Sequence, residues 1–560
     1  MTRREKYVLA ALLAITAFLL LLRLGRADML GDDAHYAFRA LGYFDYLASE
    51  NQTTPVQWFD FRPWWSLLSF HDHPPLFFFI QHLFFSLFGW SVAAARLTSV
   101  FAALGASLVL FFWGRKIANS SAAGLLAVAF TALNSYFIWM GRVGLLEALM
   151  TFFLLVALYW LHEGLESDSK FLIWAGLGFG LAFLSKYTML FALPGTLVYL
   201  LLAKRSIFKT RRFWLGALVF LIVITPVIVY NLQLYQTRGH FDVQFSDLLG
   251  HNNQDRPNLT DRVSGFRFEP AGVIRVLASG FSWPYLIALA VALGLGAYFA
   301  ERDKQKAFYL PLLVFASMFL FFSLIGNASR WLGVLSPFAA LLMAVGFEKF
   351  RKNKLAWAAL ALFSAFCLFY NLNTNHFHKP LGGKYLSSDF RLPNLGYNQL
   401  DRYLTYLLKP TEPTFNTQAA TSVWWYRDFK PNELPFRPHT PRGQVFNSLI
   451  VVDSQSIWFP TFWAVEKWKF YHGFAIMSTS EFLKVLTNED GRAVLEQIGF
   501  KDAYYVKSGP EITRSSEYNY DGPDPVLNAI LKAGSQPETV IRDDQGRDAF
   551  YIYKLNKLEI

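Results

Sequence analysis

Val8-Leu-Ala-Ala-Leu-Leu-Ala-Ile-Thr-Ala-Phe-Leu-Leu-Leu-Leu22 runs without a charge directly behind Arg3, Arg4 and Lys6. A secretory leader starts the same way, but no small-x-small cleavage site follows, so the segment reads as a retained helix entering from the cytoplasm. Comparable stretches recur at 92–113, 120–139, 143–162, 171–187, 189–203, 213–231, 281–299, 308–325, 331–348 and 354–371. A helix spans a bilayer with about 17–25 apolar residues, so together with 7–25 these predict about 11 transmembrane helices. Residues 76–89 are apolar but short and carry Gln81 and His82, which suits an interfacial or re-entrant helix.

The composition agrees. The 560 residues are 54% hydrophobic and 17% charged, with a mean hydropathy of +0.27, whereas a soluble chain carries about 25% charge. The net charge of +11 would suit nucleic acid, but the basic residues flank apolar runs, as membrane topology requires, so nucleic acid is not an expected partner. Cys367 is the sole cysteine, which leaves no intrachain disulfide and no thiolate cluster.

Basic residues also set the orientation. With the N-terminus inside, Arg115, Lys116, Lys170, Lys204, Arg205, Lys209, Arg211, Arg212, Arg302, Lys304, Lys306, Lys349, Arg351, Lys352 and Lys354 fall on cytoplasmic stretches. The short external turns keep Arg142, Lys186 and Arg330. Three regions are then external: 26–91, 232–280 and everything after 372. A membrane domain over 1–371 and a soluble extracytoplasmic α/β domain over 372–560 follow. In the latter, Ser448–Asp453, Ala503–Val506 and Ala549–Lys554 read as strands, and Ser480–Leu486 and Pro525–Leu531 as helices. Asp543-Asp-Gln-Gly546 is a turn signal.

Charge near membrane depth is costly and needs a reason. Asp32, Asp33, His35, Asp72, His73, Arg142, Glu147, Lys186 and Arg330 all fall at external ends of apolar segments, which suggests one polar site. If a helix starts in Gly31-Asp-Asp-Ala-His-Tyr36, then Asp32, His35, Tyr36 and Arg39 share a face and Asp33 turns away. Either Asp could equally be a helix cap. In Ser69-Phe-His-Asp-His-Pro-Pro-Leu76 the double proline holds the backbone that presents Asp72 and His73. Metal binding by His71, Asp72 and His73 is disfavoured because consecutive side chains diverge. Arg142 and Glu147 are five apart, which is not a helical ion-pair spacing, so each needs a partner elsewhere. Lys186 and Arg330 could be snorkelling cations or could bind phosphate.

In order, these motifs resemble the GT-C membrane glycosyltransferases, in particular the superfamily of protein O-mannosyltransferases and lipid A aminoarabinose transferases. The residues that carry the resemblance are Asp32-Asp33-Ala34-His35-Tyr36, His73-Pro74-Pro75-Leu76, Arg142-Val-Gly-Leu-Leu-Glu147, the glycine-rich span Gly176 to Lys186, the span containing Pro226, and Phe322 to Pro337. The resemblance covers about residues 7–371. Asp33 departs from the family's Glu, and His73 from the Lys of aminoarabinose transferases.

The resemblance implies a mainly α, polytopic GT-C fold and transfer of a sugar from a polyprenyl-phosphate donor to a lipid, glycan or protein acceptor outside the cytoplasm, with inversion. A hydroxyl acceptor needs a general base, and the departing phosphate needs fixed positive charge. By position Asp32 would be the base. Asp33, His35, Tyr36, Asp72, His73 and Glu147 would line the substrate site, and Arg142, Lys186, Arg256 and Arg330 would hold phosphate. No cofactor is expected, although a divalent cation is compatible with the site. Membrane lipid is an expected partner, in the inner membrane. The competing reading is a transporter or lipid flippase, which would put charges near mid-bilayer and repeat broken helices. The charges here gather at one face, and no second half mirrors the first.

Overall fold

Most of the long apolar runs before residue 372 are helical among the described residues. The computed structural model describes residues 1–45, 63–249, 268–409, 448–515 and 536–555, apart from 327, 378–379, 381–383, 388 and 457, together with 526 and 528. Among the described residues seven helices are long and apolar enough to cross a membrane: Val92–Ala118, Leu146–Glu166, Arg211–Arg238, Trp283–Arg302, Lys306–Ile325, Ser329–Glu348 and Lys354–His376. The protein is a polytopic membrane protein.

The expected straight span over 120–139 is instead a broken pair, Ser121–Leu133 and Ser135–Val143, meeting at 68°. Asn134 causes the break: its side chain accepts the Phe137 amide at 2.9 Å and starts a new helix. Arg3–Leu21, Phe171–Ser185 and Tyr187–Ala203 are also helical, but the first carries charges in its first turns and the other two are short. At 1.5 Å per residue a fifteen-residue helix reaches only about 22 Å. Among the described residues, length and apolarity alone thus pick out seven helices, or eight with the bent pair, of the eleven expected. Leu76–Phe88 is a short helix, as anticipated. Gln81 ties it to the next helix by donating to the Ala95 carbonyl at 2.6 Å.

Small residues set the closest helix approach. A Cβ on Gly176 would collide with the backbone of Gly216, and one on Gly178 with Ala157. The glycine-rich span therefore packs backbone to backbone against Arg211–Arg238 and Leu146–Glu166.

The chain forms two compact units: 1–24 with 64–392, and 25–63 with 393–560. Hydropathy alone suggested a single cut after 371. Hydrogen bonds from residues 26–28 tie the segment before helix Asp32–Leu41 to the C-terminal unit. Asp28, 2% exposed, accepts the amides of Leu395 (2.6 Å), Tyr397 (3.1 Å) and Asn398 (2.8 Å) at the start of helix Tyr397–Leu408. Its own amide donates to the Pro393 carbonyl, and Asn398 Nδ2 returns bonds to the carbonyls of Arg26 and Ala27. A carboxylate at a helix N-terminus satisfies orphan amides and meets the positive end of the dipole.

The C-terminal unit is built on a sheet of β1 (Ser448–Val452), β2 (Ile476–Ser478), β3 (Asp502–Ser508), β4 (Thr539–Arg542) and β5 (Asp548–Leu555). The order is β2-β1-β3-β5-β4; β1 runs parallel to β2 and β3, and β5 is antiparallel to β3 and β4. Alternate residues face two apolar layers. Ile450, Val452, Tyr504, Val506, Phe550 and Ile552 pack with Leu400, Leu404 and Trp468, while Leu449, Val451, Tyr505 and Tyr553 pack with Phe482 and Val485. The three expected strands and the helix at 480–486 are present, the helix as Thr479–Thr487. β2 and β4 were not anticipated, and most of the expected helix over 525–531 lies outside the described residues.

Helix Asp32–Leu41 belongs to this unit. Phe38 is fully buried against the rings of Phe462, Phe470 and Tyr471, and Tyr471 donates its hydroxyl to the Phe38 carbonyl at 2.6 Å. Gly42 ends the helix where a Cβ would strike the Tyr471 ring. Removing so central a side chain costs about 3–5 kcal/mol. Phe38→Ala is therefore expected to lower the thermal midpoint of the purified protein and to speed proteolysis of the C-terminal unit. An unchanged midpoint would mean that the helix does not draw on that core.

Candidate functional site

The acidic pair divides as its helix begins. Asp32 and Asp33 occupy the first turn after Gly31. Asp33 is 3% exposed, and its carboxylate accepts the Gly31 amide at 3.1 Å. Asp32 is half-buried and accepts the Tyr36 hydroxyl at 3.4 Å, the i to i+4 contact expected of a shared face. His35 is buried with its ring 5.6 Å from Phe462. Arg39 is fully buried and bound to Asp45 at 2.8 Å. Asp33 thus secures the helix start, while Asp32 keeps partial exposure in a position where peptide dipoles favour negative charge.

In the membrane unit, Arg142 and Glu147 each have a partner elsewhere. Glu147 (1% exposed) pairs with Lys186 (6%) through Oε1 and Nζ. Breaking one side of such a buried pair costs about 3–5 kcal/mol. Arg142, also buried, donates to the carbonyls of Leu19 (2.7 Å) and Leu20 (3.0 Å) at the end of helix Arg3–Leu21. Arg96, not anticipated as important, donates to the Leu24 carbonyl at 2.7 Å. Arg142 thus caps a helix C-terminus, where cations are favoured, and Arg96 bonds the turn just beyond it. Arg142 thereby has a structural role that the motif did not reveal. Arg330 is half-buried and lies 5.6 Å from the Trp331 ring. Arg256 lies outside the described residues.

Asp72 and His73 meet at 2.9 Å on a tight turn where Phe70 and His73 form a two-way backbone bridge, closed by the Ser69 hydroxyl. Beside them is a group that sequence reasoning missed. Asp242 is fully buried and accepts the Tyr187 hydroxyl (2.9 Å), Asn231 Nδ2 (3.1 Å) and the Phe245 amide (2.9 Å). The next amide, Val243, donates to the His71 carbonyl at 2.8 Å and so joins the two loops. Tyr187 directly follows Lys186, so Asp242 also anchors the end of that helix. Only the acidic residue in an otherwise aromatic Gly239-His-Phe-Asp242 stretch hinted at it. Among the described residues no three His, Cys, Asp or Glu side chains are grouped to hold a metal ion.

Residues 72–230 match the family model described as dolichyl-phosphate-mannose-protein mannosyltransferase. A protein of Aquifex aeolicus (strain VF5), itself described as uncharacterized, is 24% identical over 258 residues, 45% of this chain and 48% of that one. The match thus spans about half the length of that relative. Similarity to solved structures extends over the whole chain. ArnT from Cupriavidus metallidurans superposes in its apo state with a TM-score of 0.54 over 98% of this chain and 97% of that one. Its form bound to undecaprenyl phosphate gives 0.55 over 99% and 98%, in both cases at 14% identity. The chain has the GT-C fold. The GT-C resemblance carried by the acidic pair, the His73-Pro-Pro element and the Arg142 motif is therefore matched by the architecture, C-terminal unit included. The individual residue roles are not conveyed by a likeness at this identity.

Burial pushes the Asp242 carboxyl up from 3.8 to about 6, and the nearby Asp72 charge adds to the rise. The native state then holds a proton that the unfolded chain has released across that interval. Stability contributed by this proton is complete below about pH 4 and lost as pH rises through about 6, about 2–4 kcal/mol in all. Asp242→Asn cannot ionise and is expected to flatten this decline in thermal unfolding between pH 4 and 7. A slope identical to that of the unaltered protein would exclude Asp242 as its source.

Proposed function

We propose that this protein is a glycosyltransferase that moves a sugar from a polyprenyl-phosphate carrier to a hydroxyl of a lipid, glycan or protein acceptor outside the cytoplasm. The observation that carries the reading is the full-length fold match to an ArnT structure holding undecaprenyl phosphate. The mannosyltransferase model across residues 72–230 supports it independently. In this reading the N-terminus is cytoplasmic, the C-terminal unit lies on the periplasmic side, and the protein resides in the inner membrane.

Asp32 is the general base. It takes the acceptor proton as the acceptor oxygen attacks the anomeric carbon, and the bond from that carbon to the phosphate oxygen breaks with inversion. Its partial exposure and the Tyr36 contact suit this role, whereas Asp33 is committed to the Gly31 amide and supports the helix. The leaving phosphate needs nearby cations. Lys186 and Arg330 are the better candidates among the described residues, because Arg142 already serves backbone carbonyls. Arg256 remains a candidate by position in the second loop. Asp72 and His73, joined on a proline-held turn, orient donor or acceptor. A transporter would need charge deep in its spans, and the charged groups discussed here lie at helix ends or in loops.

General-base catalysis contributes roughly 10²–10⁴-fold in rate. Asp32→Asn is accordingly expected to reduce transfer from extracted lipid-linked sugars by about that factor while the protein folds and binds donor normally. Full activity in this variant would remove Asp32 from the chemistry. Profiling lipid-linked sugars in membranes with and without the active protein identifies the donor.

A further inference from the structure

Helix Pro270–Phe281, the start of Trp283–Arg302, the end of Lys354–Asn371 and the segment carrying Leu386 and Asp389 border an open cleft of about 460 Å³ within the membrane unit. That volume is in the range of small-ligand sites, about 300–1,000 Å³. No residue in the transfer scheme lines it.

Its polar side is assembled from two segments. Arg275 and Ser279 are one helical turn apart and share a face. Ser279 donates its hydroxyl to Asp389 at 2.6 Å and sits 2.9 Å from the Ser387 hydroxyl, while Tyr370 donates to the Ser279 carbonyl at 2.6 Å. These bonds hold Asp389 at the cavity wall. Arg275 is exposed and, among the described residues, forms no ion pair. One fixed anion and one uncommitted cation thus border the same space.

Much of the remaining lining is apolar. Trp283 remains 60% exposed and Phe366 38% exposed, both lining the cavity. Tryptophan at the end of a membrane helix marks the level of lipid headgroups. A ligand that fits carries a phosphate, a cation and hydrocarbon within one molecule. A free phosphate or free sugar would leave the aromatic wall unused, and a purely anionic lipid would face Asp389.

We propose that this cleft binds one bilayer glycerophospholipid with a phosphoethanolamine headgroup. Its phosphate lies on Arg275, its ammonium on Asp389 and Ser279, and its chains run along Trp283 and Phe366. The site does not depend on the transferase reading, since its residues take no part in the transfer scheme.

Native mass spectrometry of the full-length protein tests this after reconstitution with equal amounts of phosphatidylethanolamine, phosphatidylglycerol and phosphatidylcholine of matched chains. One phosphatidylethanolamine per protein is expected to survive release in preference to the other two. Arg275→Ala should cut its retention about tenfold, in keeping with loss of one charge-assisted hydrogen bond. Asp389→Asn should erase the preference over phosphatidylglycerol while a phospholipid is still retained. Equal retention of the three lipids, a preference for phosphatidylglycerol, or variants that retain phosphatidylethanolamine like the unaltered protein would each overturn the proposal. Thermal midpoints of both variants report whether folding is intact.

Discussion

Asp28 is the contact on which the placement of the acidic helix depends. Three backbone amides from Leu395, Tyr397 and Asn398 converge on one buried carboxylate far away in the chain. Such a bond is worth about 1.5–3 kcal/mol when one partner is charged, and an unsatisfied amide at a buried helix start carries a comparable penalty. The clamp joins the two places where the chain enters the C-terminal unit, near Gly25 and near Pro393. Four residues beyond it, Asp32 begins a helix whose inner face, Ala34, Ala37, Phe38 and Leu41, is buried in the same unit. A domain that carries no recognisable catalytic motif in its own C-terminal sequence therefore supplies the scaffold for the acidic pair.

The membrane unit manages its buried charge by cancelling it. Lys186 is neutralised by Glu147, Arg142 serves two carbonyls that end the first helix, and Arg96 serves the Leu24 carbonyl just after it. Unpaired charge is costly in side chains so buried, so the arrangement is first a condition of folding. It also narrows the chemistry. A cation already serving two carbonyls offers less to a departing phosphate than one held by a single carboxylate, which can be shared.

Hydropathy made the membrane helices legible because a bilayer imposes length and apolarity on every crossing. It does not show that helices such as Phe171–Ser185 are short or that Asn134 breaks a run that reads as continuous. Leu449–Val452 and Tyr504–Val506 were readable as strands because they are short, continuous apolar runs, as expected where both faces of a sheet are covered. The positions of Asp32, Glu147 and Lys186 were visible as charge at the ends of apolar runs. Asp28 and Asp242 were not, because their partners lie far off in sequence or on other elements, and a carboxylate bonded to distant amides leaves no local pattern. Arg142 was visible but its use was not: the carbonyls it serves belong to a helix more than a hundred residues earlier.

The central claim is that the C-terminal unit, through the Asp28 clamp, holds Asp32 where it can act as a base. The most direct measurement is single-turnover transfer by purified Asp28→Ala, with Asp32 untouched, alongside donor binding at a temperature where the variant stays folded. Loss of most of the transfer rate with donor affinity preserved is the predicted result. Transfer at the unaltered rate would contradict the claim, since the acidic helix would then not need the clamp in order to work.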